Sequence, residues 1–289
     1  MTRSKITLFS VVNIVILLGV VLLTLYPFIY MAAVSLSSNI HVLKGEISWY
    51  PKGFNLDMYK VVLKDPRIGT AYWNTIVYVV LGTTLSLIIT SLGAYALAKK
   101  DMVFGRGFTM IIIFTLFFSG GMIPTFLVVK ELGVIDTVWG MVLPGAVSTW
   151  NLLIMRTFFS NIPVELEESG QMDGLGNFGV FFRIVVPLSQ AVFATIGLFY
   201  AVGLWNNFLL PLLYLRDQEL FPLQVILRNI VLAGQSNQAD IAAVGDANVV
   251  LEEPLKFATI MVSTVPILLA YPFLQKYFVK GVMIGAVKS

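Results

Sequence analysis

A polar stretch interrupts this hydrophobic chain at Pro163-Val-Glu-Leu-Glu-Glu-Ser-Gly-Gln-Met-Asp-Gly-Leu-Gly176 and continues to Arg183-Ile-Val-Val-Pro187. Pro163 suits the first turn of a helix, where its missing N–H costs nothing, and Glu165 then lies near the positive end of that helix. Gly174 follows an aspartate and favours a turn, because glycine reaches backbone angles that other residues resist. The stretch therefore predicts a short acidic helix that ends in a glycine turn.

A second short helix is predicted between this turn and the next hydrophobic run. It begins near Gly176 or Asn177, and its apolar residues recur at helical spacing. These residues are Phe178, Phe181, Phe182 and Val185. Pro187 marks the junction with the following membrane span, because the residue before a proline is pushed out of helical geometry.

Such an element adds little to the stability of a membrane protein and is typical of a docking site for a soluble partner protein. Its acids Glu167 and Glu168 can pair with arginines of a partner, and the small residues Ser169 and Gly170 allow close packing. The alternative is an amphipathic helix that rests on the membrane surface. Such helices favour Lys and Arg on the polar face, whereas this one is acidic, so docking is the preferred interpretation.

The composition of the whole chain indicates an integral membrane protein. Hydrophobic residues make up 57% of the 289 residues and charged residues 12%, against about 25% charged in soluble domains. The basic residues are scattered, which argues against nucleic-acid binding in spite of a net charge of +3. There is no cysteine and the only histidine is His41, which excludes disulfides, thiolate chemistry and a multi-histidine metal site.

Six segments are long and apolar enough to cross about 30 Å of hydrocarbon, which predicts an all-α membrane protein with about six transmembrane helices in a single domain. They are residues 8–34, 73–98, 108–129, 138–158, 188–213 and 257–278. Gly120-Gly121 and Pro124 predict a bend in the third segment. The polar segment 161–187 is not a further span, since Asp173 and Arg183 alone would cost about 5–7 kcal/mol at the bilayer centre.

The Lys and Arg residues set the expected orientation. They are divided almost equally between the two sides, but many on one side lie in a single long connection, residues 36–72, and long loops constrain orientation less. The tight cluster Lys99, Lys100 and Arg106 favours cytoplasmic termini and a cytoplasmic polar segment. Residues 36–72 and 214–256 then face outside, where each is either a plain loop or a contact for an extracytoplasmic partner.

The residues of the polar segment resemble the EAA loop of bacterial ATP-binding-cassette importer permeases. That pattern is Glu-Ala-Ala, then Asp-Gly, then Ile-x-x-Pro, and here it reads Glu168-Ser-Gly170, Asp173-Gly174 and Ile184-Val-Val-Pro187. Ser-Gly replaces Ala-Ala; both residues stay small, although Gly170 weakens the helix by up to about 1 kcal/mol. The resemblance implies that this loop sits in a cleft of a cytoplasmic ATPase, that Glu168 pairs with a basic residue there, and that Pro187 marks the return to the membrane.

The resemblance covers roughly residues 70–289. The runs Gly120-Gly-Met-Ile-Pro124, Trp205-Asn-Asn-Phe208 and Tyr271-Pro-Phe-Leu-Gln-Lys-Tyr-Phe278 look like the carbohydrate branch, and more narrowly like the maltose-type, six-span permease subunit of oligosaccharide importers. The tail from Val279 to Lys288 looks like the branch that handles complex or acidic oligosaccharides, including alginate.

The resemblance also implies an architecture and a set of partners. The expected fold is the type I importer permease fold, with a cytoplasmic coupling helix. The expected partners are a second, homologous permease subunit, two copies of a cytoplasmic ATPase that bind ATP and Mg²⁺, an extracytoplasmic solute-binding protein, and an oligosaccharide. The expected location is the bacterial cytoplasmic (inner) membrane, with lipid around the spans.

Polar and aromatic residues within the predicted spans are the candidates for the sugar pathway. Amides offer hydrogen bonds to hydroxyl groups, and aromatic rings pack against the C–H faces of sugars. The candidates are Asn151, Tyr200, Trp205, Asn206 and Asn207, with Trp150 and Gln190 nearby in the same spans. Each has an ordinary structural alternative, since Trp and Tyr are common at membrane interfaces and Asn bonds between helices. In maltose-type systems the partner permease can hold most of the sugar site.

The chain is expected to be a non-catalytic subunit without a cofactor of its own. It has no G-x-x-x-x-G-K-[ST] sequence, so ATP would be hydrolysed by the partner. The run Gly174-Leu-Gly-Asn-Phe-Gly179 matches a dinucleotide fingerprint in letters only, because no strand is predicted before it. The spans carry almost no ionisable residue, which argues against coupling to a proton gradient and fits an external energy source. The alternatives are a secondary transporter or channel that works alone and a non-transporting membrane scaffold.

Overall fold

The computed structural model describes residues 8–241 and 252–286, and the regular structure in that part of the chain is entirely helical, as predicted. The helices are α1 (Leu8–Ser35), α2 (Asn39–Leu43), α3 (Asp57–Lys64), α4 (Pro66–Ala98), α5 (Gly105–Phe117), α6 (Met122–Glu131), α7 (Val138–Val142), α8 (Thr149–Phe159), α9 (Val164–Met172), α10 (Asn177–Val180), α11 (Val186–Leu188), α12 (Gln190–Trp205), α13 (Leu209–Tyr214), α14 (Leu223–Ile241) and α15 (Glu252–Ala286). A π-helical turn, Phe181–Val185, joins α10 to α11, and a 3₁₀ turn, Gln218–Leu220, precedes α14.

The chain divides into two compact units, residues 1–69 with 227–266 and residues 70–226 with 267–289. In the first unit, the end of α1 is buried where Ala33 and Val34 pack against Ile47. The second unit contains most of α4 and all of the residues predicted to act in coupling or in the sugar pathway.

Some of the predicted spans correspond to single continuous helices, and others are divided between two helices. Segments 8–34 and 73–98 lie within α1 and α4, which are both long and apolar enough to cross a membrane. The bend predicted in segment 108–129 is confirmed, because α5 and α6 meet at 115° across a break where Gly121 has a φ of +83°. Segment 257–278 lies within α15. The number of crossings stays a prediction.

Two predicted spans are interrupted rather than continuous. Segment 138–158 contains α7 and α8, which are separated by a turn at Pro144-Gly145. A Pro-Gly pair is a strong turn signal that average hydropathy does not register. Segment 188–213 contains α12 and α13, with a break at residues 206–208. Both breaks supply residues to the pocket described below.

A hydrophobic core of the second unit lies against the end of α4. Ala94, Met155, Val180, Val185 and Ile196 are fully buried in it and come from α4, α8, α10, the π-helical turn and α12. The same helix end is bonded to α8, because the Nε of Arg156 donates a hydrogen bond of 3.0 Å to the carbonyl of Leu97. This bond satisfies one of the last carbonyls of α4, which have no partner within the helix. The core thus fixes the short helices after α8 against α4.

Candidate functional site

The segment predicted to act in coupling has the predicted organisation of two short helices joined by a glycine turn; we call residues 163–188 the coupling segment. α9 begins directly after Pro163, and Glu165 and Glu167 lie in its first turn, where the helix dipole favours acids. The helix ends at Met172, and Gly174 follows with a φ of +84°. Only glycine adopts that angle without strain, so the predicted turn is confirmed.

Gly170 faces the inside of the coupling segment. A Cβ atom at this position would lie 2.5 Å from Cδ1 of Ile184, and 3.4–3.5 Å from Leu175 and Val180. The sequence interpretation used the small size of Gly170 for docking onto a partner, whereas the structure uses it for packing α9 onto the following helix. Ser169, the neighbouring small residue, is exposed.

Glu167 is bound to its own chain. Its carboxylate forms an ion pair with Nζ of Lys99, the residue directly after α4, and accepts a longer hydrogen bond of 3.4 Å from the hydroxyl of Tyr95. The Lys99 nitrogen also lies 4.6 Å from the centre of the Tyr95 ring, within cation–π range. The side chains of Glu167 and Lys99 are 15% and 24% exposed. The pair therefore joins α9 to the end of α4 in a partly desolvated contact.

Two effects on the charge of Lys99 oppose each other. Burial lowers the pKa of its amino group, and the carboxylate of Asp101 counteracts the shift. The direct contact with the Glu167 carboxylate favours the charged form of the amino group as well. The carboxylate and the amino group are in direct contact, and we describe them as an ion pair on that ground.

Glu168 has the opposite environment from Glu167. Its side chain is exposed, and within the described residues it forms no ion pair or side-chain hydrogen bond. Glu165 and Asp173 are exposed as well. α9 and the residue after it thus carry a ridge of three solvated carboxylates, while Glu167 is held inward.

The predicted apolar stripe of the second short helix is divided between two environments. Phe181 and Val185 are buried, and the Phe181 ring lies 5.1 Å from that of Tyr95. Phe178 and Phe182 are 71% and 61% exposed. The turn from Phe181 to Val185 is π-helical, which widens the helix and displaces side chains from the α-helical stripe that the sequence predicted.

The return from the coupling segment is a sharp bend. The helical stretch Asn177–Leu188 meets α12 at 84°. The break falls at Ser189, two residues after Pro187, so the predicted junction is confirmed to within two positions. Ser189 is fully buried at this corner.

A second candidate site is a pocket of about 430 Å³ in the same unit, between the α7–α8 break and the α12–α13 break. Its volume is within the usual range for small-molecule pockets, about 300–1,000 Å³. It is lined by Met141, Gly145, Ser148, Trp150, Asn151, Phe199, Tyr200, Gly203, Leu204, Asn207 and Leu210. We call it the pathway pocket. The lining is aromatic, aliphatic and amide-bearing, and it contains no charged residue.

Three of the five predicted pathway residues line this pocket. Asn151 is 6% exposed, and its side-chain amide forms no hydrogen bond to another residue in the described part of the chain, so the amide is open to the pocket. Asn207 also lines the pocket, but its Oδ1 accepts a hydrogen bond of 3.1 Å from the N–H of Leu210 at the start of α13. The Asn207 side chain therefore stabilises the start of α13, besides any contact with a substrate.

The hydroxyl of Tyr200 forms hydrogen bonds within the fold. It accepts a hydrogen bond of 2.9 Å from the N–H of Ser148 and bonds to Oγ1 of Thr90 at 2.7 Å. These bonds join α12 to α4 and to the residue that caps α8. Only the ring of Tyr200 is available to the pocket.

The other two predicted residues, Trp205 and Asn206, do not line the pathway pocket. The Trp205 ring lies 6.5 Å from that of Tyr72 in α4, and its indole N–H has no hydrogen-bond acceptor among the described residues. The Asn206 amide donates to the carbonyl of Val202 within its own helix. Because α12 ends at Trp205, the side chains of successive residues there point in different directions. Their order in the sequence does not show which of them reaches the pocket.

Several lining residues were not among the sequence candidates. Ser148, Gly145 and Gly203 are small, and Ser148 caps α8 by accepting a hydrogen bond from the N–H of Asn151. The Pro144-Gly145 turn and the Ser148-Thr149 capping pair are local signals that would have located the break. Nothing local would have placed Phe199 and Met141 in the same pocket.

Comparison with known proteins agrees with this architecture. Residues 75–284 match the model of a family described as the inner membrane component of binding-protein-dependent transport systems. The chain is 41% identical to the polygalacturonan/rhamnogalacturonan transport system permease protein YtcP of Bacillus subtilis (strain 168), over 94% of this chain and 96% of that protein. It is 44% identical to the protein LplC of the same organism, over 97% and 95% of the two chains.

A solved structure has the same fold. A chain of a bacterial ABC transporter involved in the import of the acidic polysaccharide alginate aligns with a TM-score of 0.87 and 34% identity, over 96% of this chain and all of that one. The predicted all-α importer permease fold is thereby confirmed.

Proposed function

Because this chain belongs to the family of binding-protein-dependent transport system inner membrane components, we propose that it is a permease subunit of an ATP-driven oligosaccharide importer. It forms half of a pathway through the inner membrane, and a second, homologous permease subunit forms the other half. An extracytoplasmic solute-binding protein delivers the sugar. Both termini and the coupling segment face the cytoplasm.

The observation that carries the proposal is the unequal environment of two adjacent acids on α9. Glu167 is paired with Lys99 of the same chain, whereas Glu168 is exposed and unpaired within the described residues. A carboxylate on a rigid, solvated ridge is suited to charge-assisted hydrogen bonds with a partner's arginine or lysine. We assign Glu168 to the contact with the ATPase and Glu167 to the anchoring of α9.

The anchoring makes α9 able to transmit movement. α9 is bonded to the end of α4 through Lys99, and its neighbour Phe181 packs in the core beside Tyr95. Closure of two ATPase copies around ATP and Mg²⁺ would push α9, and the contact would pass that displacement to α4. In this cycle ATP binding tilts the permeases outward-open and hydrolysis resets them, so this chain performs no bond-breaking chemistry.

The pathway pocket is suited to a neutral part of a sugar. The open amide of Asn151 can bond to hydroxyl groups, and the rings of Trp150 and Tyr200 can pack against C–H faces. One similar protein belongs to a polygalacturonan/rhamnogalacturonan transport system, and the similar solved structure belongs to a transporter involved in the import of the acidic polysaccharide alginate. We propose an oligosaccharide of that acidic class. Because no basic residue lines the pocket, its carboxylates would be bound elsewhere in the importer.

Purification of a tagged copy in mild detergent tests the proposal. We expect a second permease and a P-loop ATPase to co-purify, and ATP hydrolysis in lipid to rise when the solute-binding protein is added with oligogalacturonate. Maltooligosaccharide is the matched neutral sugar. Stimulation by the neutral sugar alone would reject the acidic class but keep the importer. A chain that purifies without an ATPase and takes up sugar along an ion gradient would favour a stand-alone secondary transporter.

A further inference from the structure

The first helix shows where the hydrocarbon of the membrane ends. Nearly every side chain of α1 from Leu8 to Ile29 is exposed, and the helix becomes covered by its own chain from Tyr30 onward. Residues 8–29 rise by about 33 Å at 1.5 Å per residue. That length is close to the hydrocarbon thickness of a bilayer, about 30 Å. The change at Tyr30 therefore falls at the expected boundary between hydrocarbon and headgroups.

The segment that covers the end of α1 is compact. We call residues 36–65, which include α2 and α3, the collar. Ser37 donates from Oγ to the carbonyl of Ala33 at 2.6 Å, and the hydroxyls of Ser35 and Tyr59 lie 2.8 Å apart. The N–H of Asn55 donates to the carbonyl of Leu36 at 2.9 Å, which closes the chain on itself. These bonds hold the collar at one height along α1.

The collar exposes large apolar side chains although it belongs to no membrane span. Trp49, Tyr50, Phe54 and Leu63 are 58–68% exposed. The Trp49 ring lies 4.7 Å from that of Tyr26, edge to face, so it contacts the part of α1 that its own chain leaves bare. Tyr26 is about 27 Å along the helix from Leu8, which is just inside the hydrocarbon boundary derived above.

We propose that the collar lies in the membrane–water interface, with its aromatic side chains between lipid headgroups and acyl chains. Trp and Tyr concentrate at that depth because their rings are apolar and their edges form hydrogen bonds. Exposed lysines such as Lys44 and Lys60 reach the headgroups while their stems stay with the apolar surface. The apolar surface of the collar continues that of α1, and this continuity favours lipid over the solute-binding protein as its occupant.

Nitroxide labelling tests the proposal, because this chain has no cysteine and each introduced cysteine is unique in it. The variants Tyr50→Cys and Phe54→Cys are labelled in the importer purified with its own subunits and reconstituted in lipid. Lys44→Cys and Lys60→Cys, whose side chains the proposal directs away from the acyl chains toward headgroups and water, are the matched positions in the same segment, and Leu18→Cys marks the hydrocarbon. Collision with oxygen, which partitions into lipid, is compared with collision with a water-soluble nickel complex. If one label prevents assembly, Leu63→Cys replaces it.

The proposal predicts that the oxygen-to-nickel ratio at positions 50 and 54 is several-fold higher than at 44 and 60, and lower than at 18. A ratio equal to that at 44 and 60 places the collar in water and overturns the proposal. Labels at 50 and 54 that neither reagent reaches show a protein partner on this surface, which overturns it as well. The result does not depend on which sugar the importer carries.

Discussion

The coupling segment and the pathway pocket each contain two polar side chains, one of which is bonded to other elements of the fold and one of which is not. In the coupling segment, Glu167 is paired with Lys99 whereas Glu168 is exposed. In the pocket, the hydroxyl of Tyr200 joins two other elements whereas the amide of Asn151 is open. In both regions one polar group is bonded within the fold, and the other has no partner among the described residues.

The two regions differ in the origin of their shape. The coupling segment is shaped by neighbours in sequence, with a glycine turn at Gly174 and close packing at Gly170. The pocket is shaped by contacts such as that between Thr90 and Tyr200, which are 110 positions apart. A variant in the coupling segment should therefore impair coupling with little effect on the pocket, and the converse should hold for variants in the pocket.

The largest effect is expected from reversing the charge that anchors α9. Glu167→Lys places two ammonium groups together in a partly buried contact, where breaking an ion pair costs up to about 3–5 kcal/mol in a full interior and roughly half of that here. We expect ATP-driven uptake to fall at least tenfold and the thermal stability of the purified complex to decrease. Transport of radiolabelled sugar and thermal unfolding in detergent measure the two effects.

The double variant Lys99→Glu/Glu167→Lys is the control for this prediction, since it restores opposite charges in the same place. Most of the lost uptake should return. If the double variant is as inactive as the single one while both assemble, the ion pair does not anchor α9, and the distinction between Glu167 and Glu168 fails.

The next largest effect is expected at the glycine turn. Gly174 has open space around the position of a Cβ atom, so Gly174→Val acts only through its positive φ, at a cost of about 1–3 kcal/mol. Uptake should fall by about tenfold while the complex still assembles. Gly176→Val is the matched variant, because Gly176 has equally open space and a φ of −74°. Equal activity of the two variants would remove the turn from the coupling mechanism.

A comparable effect, on the retention of the ATPase rather than on uptake, is expected from Glu168→Lys, which leaves the fold intact and reverses a solvated charge. A hydrogen bond to a charged group contributes about 1.5–3 kcal/mol, so ATPase retention should weaken by at least about tenfold. The amount of ATPase that co-purifies with the tagged chain measures it. Glu165→Lys changes another exposed acid on α9 and should have little effect. If both variants retain the ATPase fully, Glu168 is not the docking residue.

The smallest effects are expected in the pathway pocket, and they should separate function from structure. Asn151→Ala removes the open amide and should lower uptake a few-fold without changing thermal stability. Tyr200→Phe removes the hydroxyl that joins α12 to α4 and should lower stability by about 0.5–1.5 kcal/mol per bond, with the pocket ring kept. Sugar-stimulated ATP hydrolysis and thermal unfolding are measured on both. If Tyr200→Phe lowered uptake without changing stability and Asn151→Ala lowered stability, the substrate contact would be assigned to Tyr200 instead.

The order of residues in the coupling segment was sufficient to predict its helices, its turn and its junction. Pro163, Gly174 and Pro187 act on backbone angles within one or two residues, so their effect does not depend on the rest of the fold. The role of Glu167 was not predictable in that way, because its partner Lys99 is 68 positions away. Gly170 was assigned to docking for the same reason, since Ile184 closes over it only after the second helix folds back.

Composition and local spacing were enough to predict a helical membrane protein with a short two-helix segment between hydrophobic runs, and the structure has both. They act through hydropathy, helix periodicity and turn geometry, which depend on short runs of sequence. The different environments of Glu167 and Glu168, and of Asn151 and the other candidates Trp205 and Asn206, followed from tertiary structure. Burial and pairing depend on which distant residues come into contact. These contacts do not follow from short runs of sequence, because they form only when the chain folds.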